Sequence, residues 1–316
     1  MRSWPRGSSR LLLGVGALLV FVSPAWAGSP GGIGVLGDSY SDEYQFYPPD
    51  RPTARNWVEI LARARGLNFG PFTTASRAEP RNQGFAFNWA RSDAETEDLI
   101  RTGQHTGLAE QVARGEVSVA IVFIGGNDFV HALASEHPDK ILDQVLRRAI
   151  ANLDLAVETI LKANPRVQVF VATLPNIVEL PEFAVPVRSG RLSSSLAASY
   201  SQAVGRYNQH IRLMTVMKRR VSLVDLALAT QLAPRPDPHH VIVAGRKLDR
   251  IHPANAGMHA FLADSRHIST LVQGMLANHV INALNARLDL RLKPLTLREV
   301  LEQIPGISPI AALEAR

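Results

Sequence analysis

The chain has 316 residues, enough for one large α/β domain or two small ones, and its 46% hydrophobic and 20% charged residues are ordinary for a folded globular protein. The net charge of +6 shrinks to 31 basic against 28 acidic residues once Arg2, Arg6 and Arg10 of a basic leader are set aside, and no basic block or RNA-binding motif is present, so a nucleic-acid partner is not expected. The absence of cysteine excludes disulfides, thiolate catalysis, cysteine-ligated zinc and a lipidated-cysteine anchor.

The leader comes first. Met1 to Arg10 is a basic region, Leu11 to Val22 an apolar core, and Ala25-Trp26-Ala27 a small-x-small cleavage site. Twelve apolar residues are too few to span a bilayer, so residues 1–27 read as a cleaved secretory signal, with an uncleaved anchor as the alternative. No later stretch is long and apolar enough to span, so no integral membrane segment is expected after cleavage, and the protein is expected to be secreted or periplasmic. Gly32 to Leu36 (G-I-G-V-L) then reads as a strand. Thr53 is a plausible cap for a helix with Trp57, Ile60, Leu61 and Ala64 on one face, stopped by Gly66. Leu67 to Phe72 offers a second strand, and Val117 to Ile124 (V-S-V-A-I-V-F-I) a fully buried one. Behind Pro138 a long helix places Leu142, Val145, Ala149, Leu153, Ala156 and Ile160 on one face, ending at Asn164-Pro165. A strand at Val167 to Thr173, a helix from about Ser194 to Lys218 and a short strand at Val221 to Leu226 follow. Two proline-rich loops, Pro175 to Gly190 and Gln231 to Arg250, are expected rims of a site.

Strands apolar on both faces and separated by helices predict an α/β fold, a three-layer α/β/α sandwich around a central parallel sheet. Residues 28–285 form the expected domain. Residues 286–316 form a C-terminal extension, with a short strand and helix expected over Leu288 to Leu301.

In open parallel sheets ligands bind beyond the carboxyl ends of the strands, and three polar clusters fall there. Gly37-Asp38-Ser39 follows the first strand, Gly125-Gly126-Asn127-Asp128 follows Val117–Ile124, and Asp249-Arg250-Ile251-His252-Pro253 comes after the last strand, where it is expected to open a helix. Together with Asn88-Trp89-Ala90-Arg91-Ser92-Asp93-Ala94, these clusters resemble, in order, the blocks of the SGNH hydrolases (GDSL esterases and lipases) over roughly residues 32–261. The resemblance implies a flavodoxin-like fold and a serine ester hydrolase that needs neither cofactor nor metal and takes a small-molecule or polymeric ester. It makes Ser39 the nucleophile, His252 the general base and Asp249 its orienting carboxylate. The backbone N–H of Ser39, the Asn127 amide and a backbone N–H of the second block, at Asp93, form the oxyanion hole, with Asp38, Gly125 and Asn88 in support.

Asp93 departs from the glycine the family carries near that position. Glycine there marks close approach or positive φ, and a carboxylate beside a developing oxyanion opposes catalysis unless it points away or is neutralised, for instance by Arg91. A fold-preserving binding protein with impaired turnover is therefore one alternative. A thioesterase or lysophospholipase rather than a carbohydrate deacetylase is another, and a phosphoesterase using His239 and His240 a third. His131, His137, His259 and His267 lack ligand spacing and read as surface or helix positions. Tyr40, Tyr44, Phe46, Tyr47, Trp89 and Phe129 either line a pocket or pack the core, and Asp42 and Asp128 brace loops.

Overall fold

A computed structural model of the protein describes residues 31–75, 83–255 and 257–306. The leader and its cleavage site lie outside the described residues, as do the last ten positions. The core is a four-stranded parallel sheet in the order β1 (Gly32–Gly37), β4 (Val117–Phe123), β5 (Gln168–Ala172) and β6 (Val221–Val224). β-Branched and aromatic side chains such as Val35, Ile121, Val122, Val169 and Phe170 are buried, as both faces of a helix-covered parallel sheet require. Beyond the free edge of β1, Val35 bridges Asn88 in parallel, with Val35 N–H donating to Phe87 O and Trp89 N–H to Val35 O. Counting this one-bridge strand second in chain order gives the flavodoxin-like order 2-1-3-4-5. The order reverses between β1 and β4, and a crevice opens at their carboxyl ends.

The helices flank that sheet. α1 (Trp57–Arg65) and α9 (Thr270–Leu288) pack together, and α2 (Thr96–Arg101), α3 (Gln104–Ala113), α4 (Gly126–Leu133) and α7 (Ser194–Met217) each pack on α5 (Pro138–Ala163). The apolar face read for residues 138–163 is buried from Leu142 to Ile160. Gly66, at φ 62°, ends α1 in the left-handed conformation.

Several local expectations are corrected. The cap of α1 is Asn56, not Thr53: its side chain accepts the Glu59 N–H at 3.1 Å while Glu59 returns a bond to the Asn56 N–H at 2.9 Å, a capping box that a threonine four residues before the helix is too far away to form. Leu67–Phe72 is not a sheet strand. Leu67 and Phe69 are buried and Asn68 O accepts the Ile33 N–H of β1 at 2.7 Å, but the paired strand is only β2 (Phe72–Thr73), antiparallel to β3 (Gly84–Phe85), while the Asn88 segment bridges β1 at Val35. The proline-rich loops are built: the first contains α6 (Pro181–Arg188), and the second follows α8 (Leu226–Leu232) and forms a hairpin of β7 (His240–Val243) and β8 (Arg246–Asp249). The expected strand after residue 287 is absent among the described residues. α9 runs on to Leu288, and α10 (Leu297–Leu301) docks on it, with Val300 beside Gly274 and Arg65 paired to Glu299 at 2.7 Å.

Candidate active site

The first three motifs meet at the β1/β4 crevice. Gly37 pairs with Phe123 at the ends of their strands, so the turns that follow leave the sheet side by side. A Cβ on Gly126 would stand 3.7 Å from Asp38 Oδ2, which measures how closely they approach. The second motif is stitched to both. Asn88 Nδ2 donates to Ser41 O at 2.8 Å, Arg91 N–H to Gly37 O at 3.1 Å, and Asn127 Nδ2 to Ala94 O at 3.1 Å. Asp128 accepts the Thr96 N–H and hydroxyl at 2.9 and 2.7 Å, and Asp42 Oδ2 accepts the Ser92 N–H at 2.7 Å. Both aspartates therefore brace loops.

Ser39 and Asn127 are buried at 5% and 6% exposure and line one cavity with Asp38, Tyr40, Phe123 and Arg266. The Ser39 hydroxyl has no hydrogen-bond partner among the described residues, and neither do the backbone N–H groups of Ser39 and Asp93. Gly125 stands at φ 113°, where a Cβ would lie 2.8 Å from the Tyr207 hydroxyl. Only glycine suits both that backbone and that contact, and the turn sets Asn127 in the first turn of α4.

Asp93 stands at φ 69°, the left-handed conformation for which glycine is expected and which aspartate tolerates better than most residues. Its side chain is 72% exposed and its Oδ1 accepts from His131 Nε2 at 3.1 Å. His131 Nδ1 reaches Glu95 Oε1 at 2.8 Å, so both ring nitrogens face carboxylates, an arrangement that suits the imidazolium. Glu95 first, with Asp93 behind it, holds the His131 pKa above 6.5 despite partial burial. The His131 imidazole thus meets the anomalous carboxylate.

Burial dominates the carboxylates under the crevice. It pushes Asp38 up to about 7, against the Tyr40 N–H that its Oδ1 accepts at 3.0 Å, and Asp128 up to about 6, against the two Thr96 bonds. A folded-state pKa above the ordinary 3.8 means that folding favours the protonated form. Its contribution is fully present below pH ~3.8 and is lost as pH rises through about 7. Asp38→Asn, which keeps an acceptor for Tyr40, is therefore expected to gain stability relative to wild type on going from pH 4 to pH 8, on the order of 2–4 kcal/mol. Urea unfolding at the two pH values measures it, and an equal difference at both would sink the assignment.

The structure places two aspartate–histidine pairs of the same spacing. In the expected pair, His252 Nδ1 donates to Asp249 Oδ2 at 2.8 Å. The backbone does not open a helix there. Asp249 ends β8, its Oδ1 accepts the N–H groups of Ile251 and His252, and Pro253 follows, so a side-chain turn replaces a helical one. The His252 side chain is 70% exposed and stacks on His239 with ring centres 6.2 Å apart. Neither it nor His267, the histidine of the other pair, is among the residues lining the Ser39 cavity. The other pair is Asp264 and His267. His267, expected at a surface or helix position, is 5% exposed in the segment before α9, its Nδ1 donates to Asp264 Oδ2 at 2.6 Å, and its ring meets Tyr40 and Tyr44 edge-on. The sequence signal for it was available: Asp264-Ser265-Arg266-His267 repeats the D-x-x-H spacing and stands just before α9.

Among the described residues no three His, Cys, Asp or Glu side chains group as a metal site. His240 pairs with Asp237 at 2.7 Å, while His239 stacks on His252. No described helix is long and apolar enough to cross a membrane.

The fold is of the α/β class with a central parallel sheet, and the family it carries makes the protein a hydrolase acting on esters. The chain belongs to the GDSL-like Lipase/Acylhydrolase family, whose model matches residues 35–260. Similar solved structures include a lipase from a goat rumen metagenome (14% identity, 80% of this chain and 96% of that one, TM-score 0.48). An extracellular lipase from Streptomyces rimosus is 18% identical (80% and 99% covered, TM-score 0.46), and a family 3 carbohydrate esterase from Clostridium thermocellum 14% (84% and 100%, TM-score 0.45). A search of curated proteins finds no relative of this chain.

Proposed function

We propose that the protein is an exported serine esterase that cleaves carboxylic esters with an apolar acyl group through an acyl-serine intermediate. The observation that carries the reading is the buried, unpartnered Ser39 hydroxyl sharing a cavity with Asn127. The Ser39 oxygen bonds to the ester carbonyl carbon while its proton passes to the imidazole of a carboxylate-held histidine. The carbonyl π pair moves onto oxygen, where the Asn127 amide and the N–H groups of Ser39 and Asp93 receive it. Collapse breaks the carbon–alkoxide bond, and the imidazolium returns its proton to the leaving alkoxide. Water then repeats the sequence, releasing the acid and restoring Ser39. Export rests on the leader, Met1 to Ala27.

An apolar cleft supports an acyl chain longer than acetyl. Tyr40, Phe123 and Leu180 wall both the Ser39 cavity and a neighbouring cleft that continues past Ala229, Val241 and Val272. Glu179 lines that cleft, bound to Arg235 at 2.6 Å and Arg250 at 3.1 Å. Each buried methylene contributes roughly 0.8 kcal/mol. Across p-nitrophenyl acetate, butyrate and octanoate, kcat/KM is expected to rise by about tenfold or more. Ala229→Trp, which obstructs the cleft, is expected to abolish the octanoate advantage and spare acetate. A wild type that prefers acetate would remove the acyl-chain reading, and one inert to all three esters would remove the esterase reading itself.

A further inference from the structure

We infer that the general base of this site is His267, oriented by Asp264, and that the Asp249–His252 pair, which bears the expected motif and the following proline, is not part of the reaction centre. The inference rests on the serine-esterase reading and assigns the residue on which its proton transfers depend.

The two pairs are locally the same device. Asp264 Oδ1 accepts the N–H groups of Arg266 and His267 at 3.0 and 2.8 Å, as Asp249 Oδ1 accepts those of Ile251 and His252 at 2.8 and 2.9 Å. In each, the second carboxylate oxygen takes the histidine Nδ1–H. A carboxylate only accepts, so both rings carry the proton on Nδ1 and present Nε2 as a base. The family match ends at residue 260 and so takes in only the first pair, but spacing cannot distinguish them.

Their surroundings do. His267 Nε2 is buried and without a hydrogen-bond partner, a costly state for a basic nitrogen unless it serves a purpose. Its ring lies against Tyr40, the residue after Ser39, at 6.0 Å between centres, and the Tyr40 hydroxyl donates to Arg266 O at 2.8 Å. Arg266, the residue before His267, lines the Ser39 cavity. The segment is held against the first motif from the far side as well. Gln273, in the first turn of α9, donates to the Tyr44 hydroxyl at 2.8 Å and accepts the Trp57 N–H at 3.1 Å. Ser39 Oγ and His267 Nε2 thus both lack a partner among the described residues, and Tyr40, the chain neighbour of the first, packs on the ring that carries the second. His252 has none of these contacts among the described residues, and its ring faces solvent and His239.

The charges facing His267 are Asp264 and Arg266 from its own segment and Arg51 from the first-motif side. Burial, aided by the two arginines and opposed by Asp264, holds its pKa below 6.5, so the ring is neutral and basic at pH 7. Against the cost of partial burial, His267 draws Asp264 down to about 2, keeping the orienting group ionised.

The test compares His252→Ala with His267→Gln and Asp264→Asn in the full mature chain, using p-nitrophenyl butyrate, with circular dichroism to confirm folding. His252→Ala is expected to keep kcat/KM within about threefold and to leave the acid limb of the pH–rate profile where wild type has it. His267→Gln is expected to lose at least about a thousandfold, and Asp264→Asn at least about a hundredfold, at unchanged circular dichroism. Loss of a thousandfold in His252→Ala, or retained activity in His267→Gln, overturns the assignment. Should His267→Gln fail to fold, Asp264→Asn and the exposed His252→Ala still decide. A wild type inert to every ester would instead overturn the reading beneath it.

Discussion

Ser39→Ala is expected to lower kcat/KM for p-nitrophenyl butyrate by at least about ten-thousandfold while leaving the midpoint of thermal unfolding unchanged within a degree or two. The two halves of this expectation have separate causes. Nucleophilic attack has no substitute at this position: the Tyr40 hydroxyl is committed to Arg266 O at 2.8 Å, and the Ser41 hydroxyl accepts from Trp57 Nε1 at 3.1 Å and is fully buried. Stability is spared because the Ser39 hydroxyl bonds to nothing among the described residues, so its removal breaks no hydrogen bond and empties little volume. Retained hydrolysis by folded Ser39→Ala would dismiss the nucleophile. Simultaneous loss of rate and structure would instead mean that the turn after β1 depends on the hydroxyl.

The second large effect concerns the oxyanion. Asn127→Ala is expected to reduce kcat by about 10²–10³, equivalent to roughly 2.7–4 kcal/mol in the barrier, with KM changed little. One hydrogen of its amide is committed to Ala94 O, and the other remains for the substrate. Because the same side chain ties α4 to the second motif, the variant also loses a loop contact, and the split between kcat and KM tells the roles apart. A donor used only in the transition state lowers kcat, whereas a loosened cavity raises KM. Asp93→Gly is the control. It keeps the backbone N–H, relieves the left-handed conformation at φ 69° and removes the carboxylate that His131 holds, so kcat within about threefold of wild type is expected. A large gain in Asp93→Gly would favour an impaired site, and an Asn127→Ala rate equal to wild type would take the amide out of the oxyanion hole.

Asp93 shows what a single anomalous residue conveys. Its position in the second motif implied a glycine-like backbone, and the observed φ agrees. Its tolerance depends on His131, 38 residues away on α4, and on Glu95, which orients the imidazole. Nothing in the local sequence predicts that His131 would be aimed at it. The proline-rich loops are a similar case. Proline content marked them as loops at the rim of a site, yet they contain α6 and the β7–β8 hairpin, and Leu180, just before α6, and Val241, in β7, line the apolar cleft.

The frame of the site is legible in the order of its residues. Runs such as V-S-V-A-I-V-F-I can be satisfied only in the middle of a sheet, and the 3.6-residue apolar spacing of Leu142 to Ile160 only by a helix lying on one. Once strands and helices alternate in a parallel sheet, the carboxyl ends of the strands fall on one edge, and Ser39 and Asn127 with them; that β1 and β4 are neighbours there is decided by the fold. The common edge is a consequence of backbone periodicity, which is local. The choice between two D-x-x-H pairs is not. Both aspartates close the same turn and hold the same ring nitrogen, so every short-range interaction agrees. Only packing distinguishes them, with α9 pressing His267 against Tyr40 and Tyr44 while the hairpin leaves His252 exposed to water. Burial and orientation at a reaction centre arise from contacts between distant segments, such as Gln273 with Tyr44, and these exist only once the chain has folded.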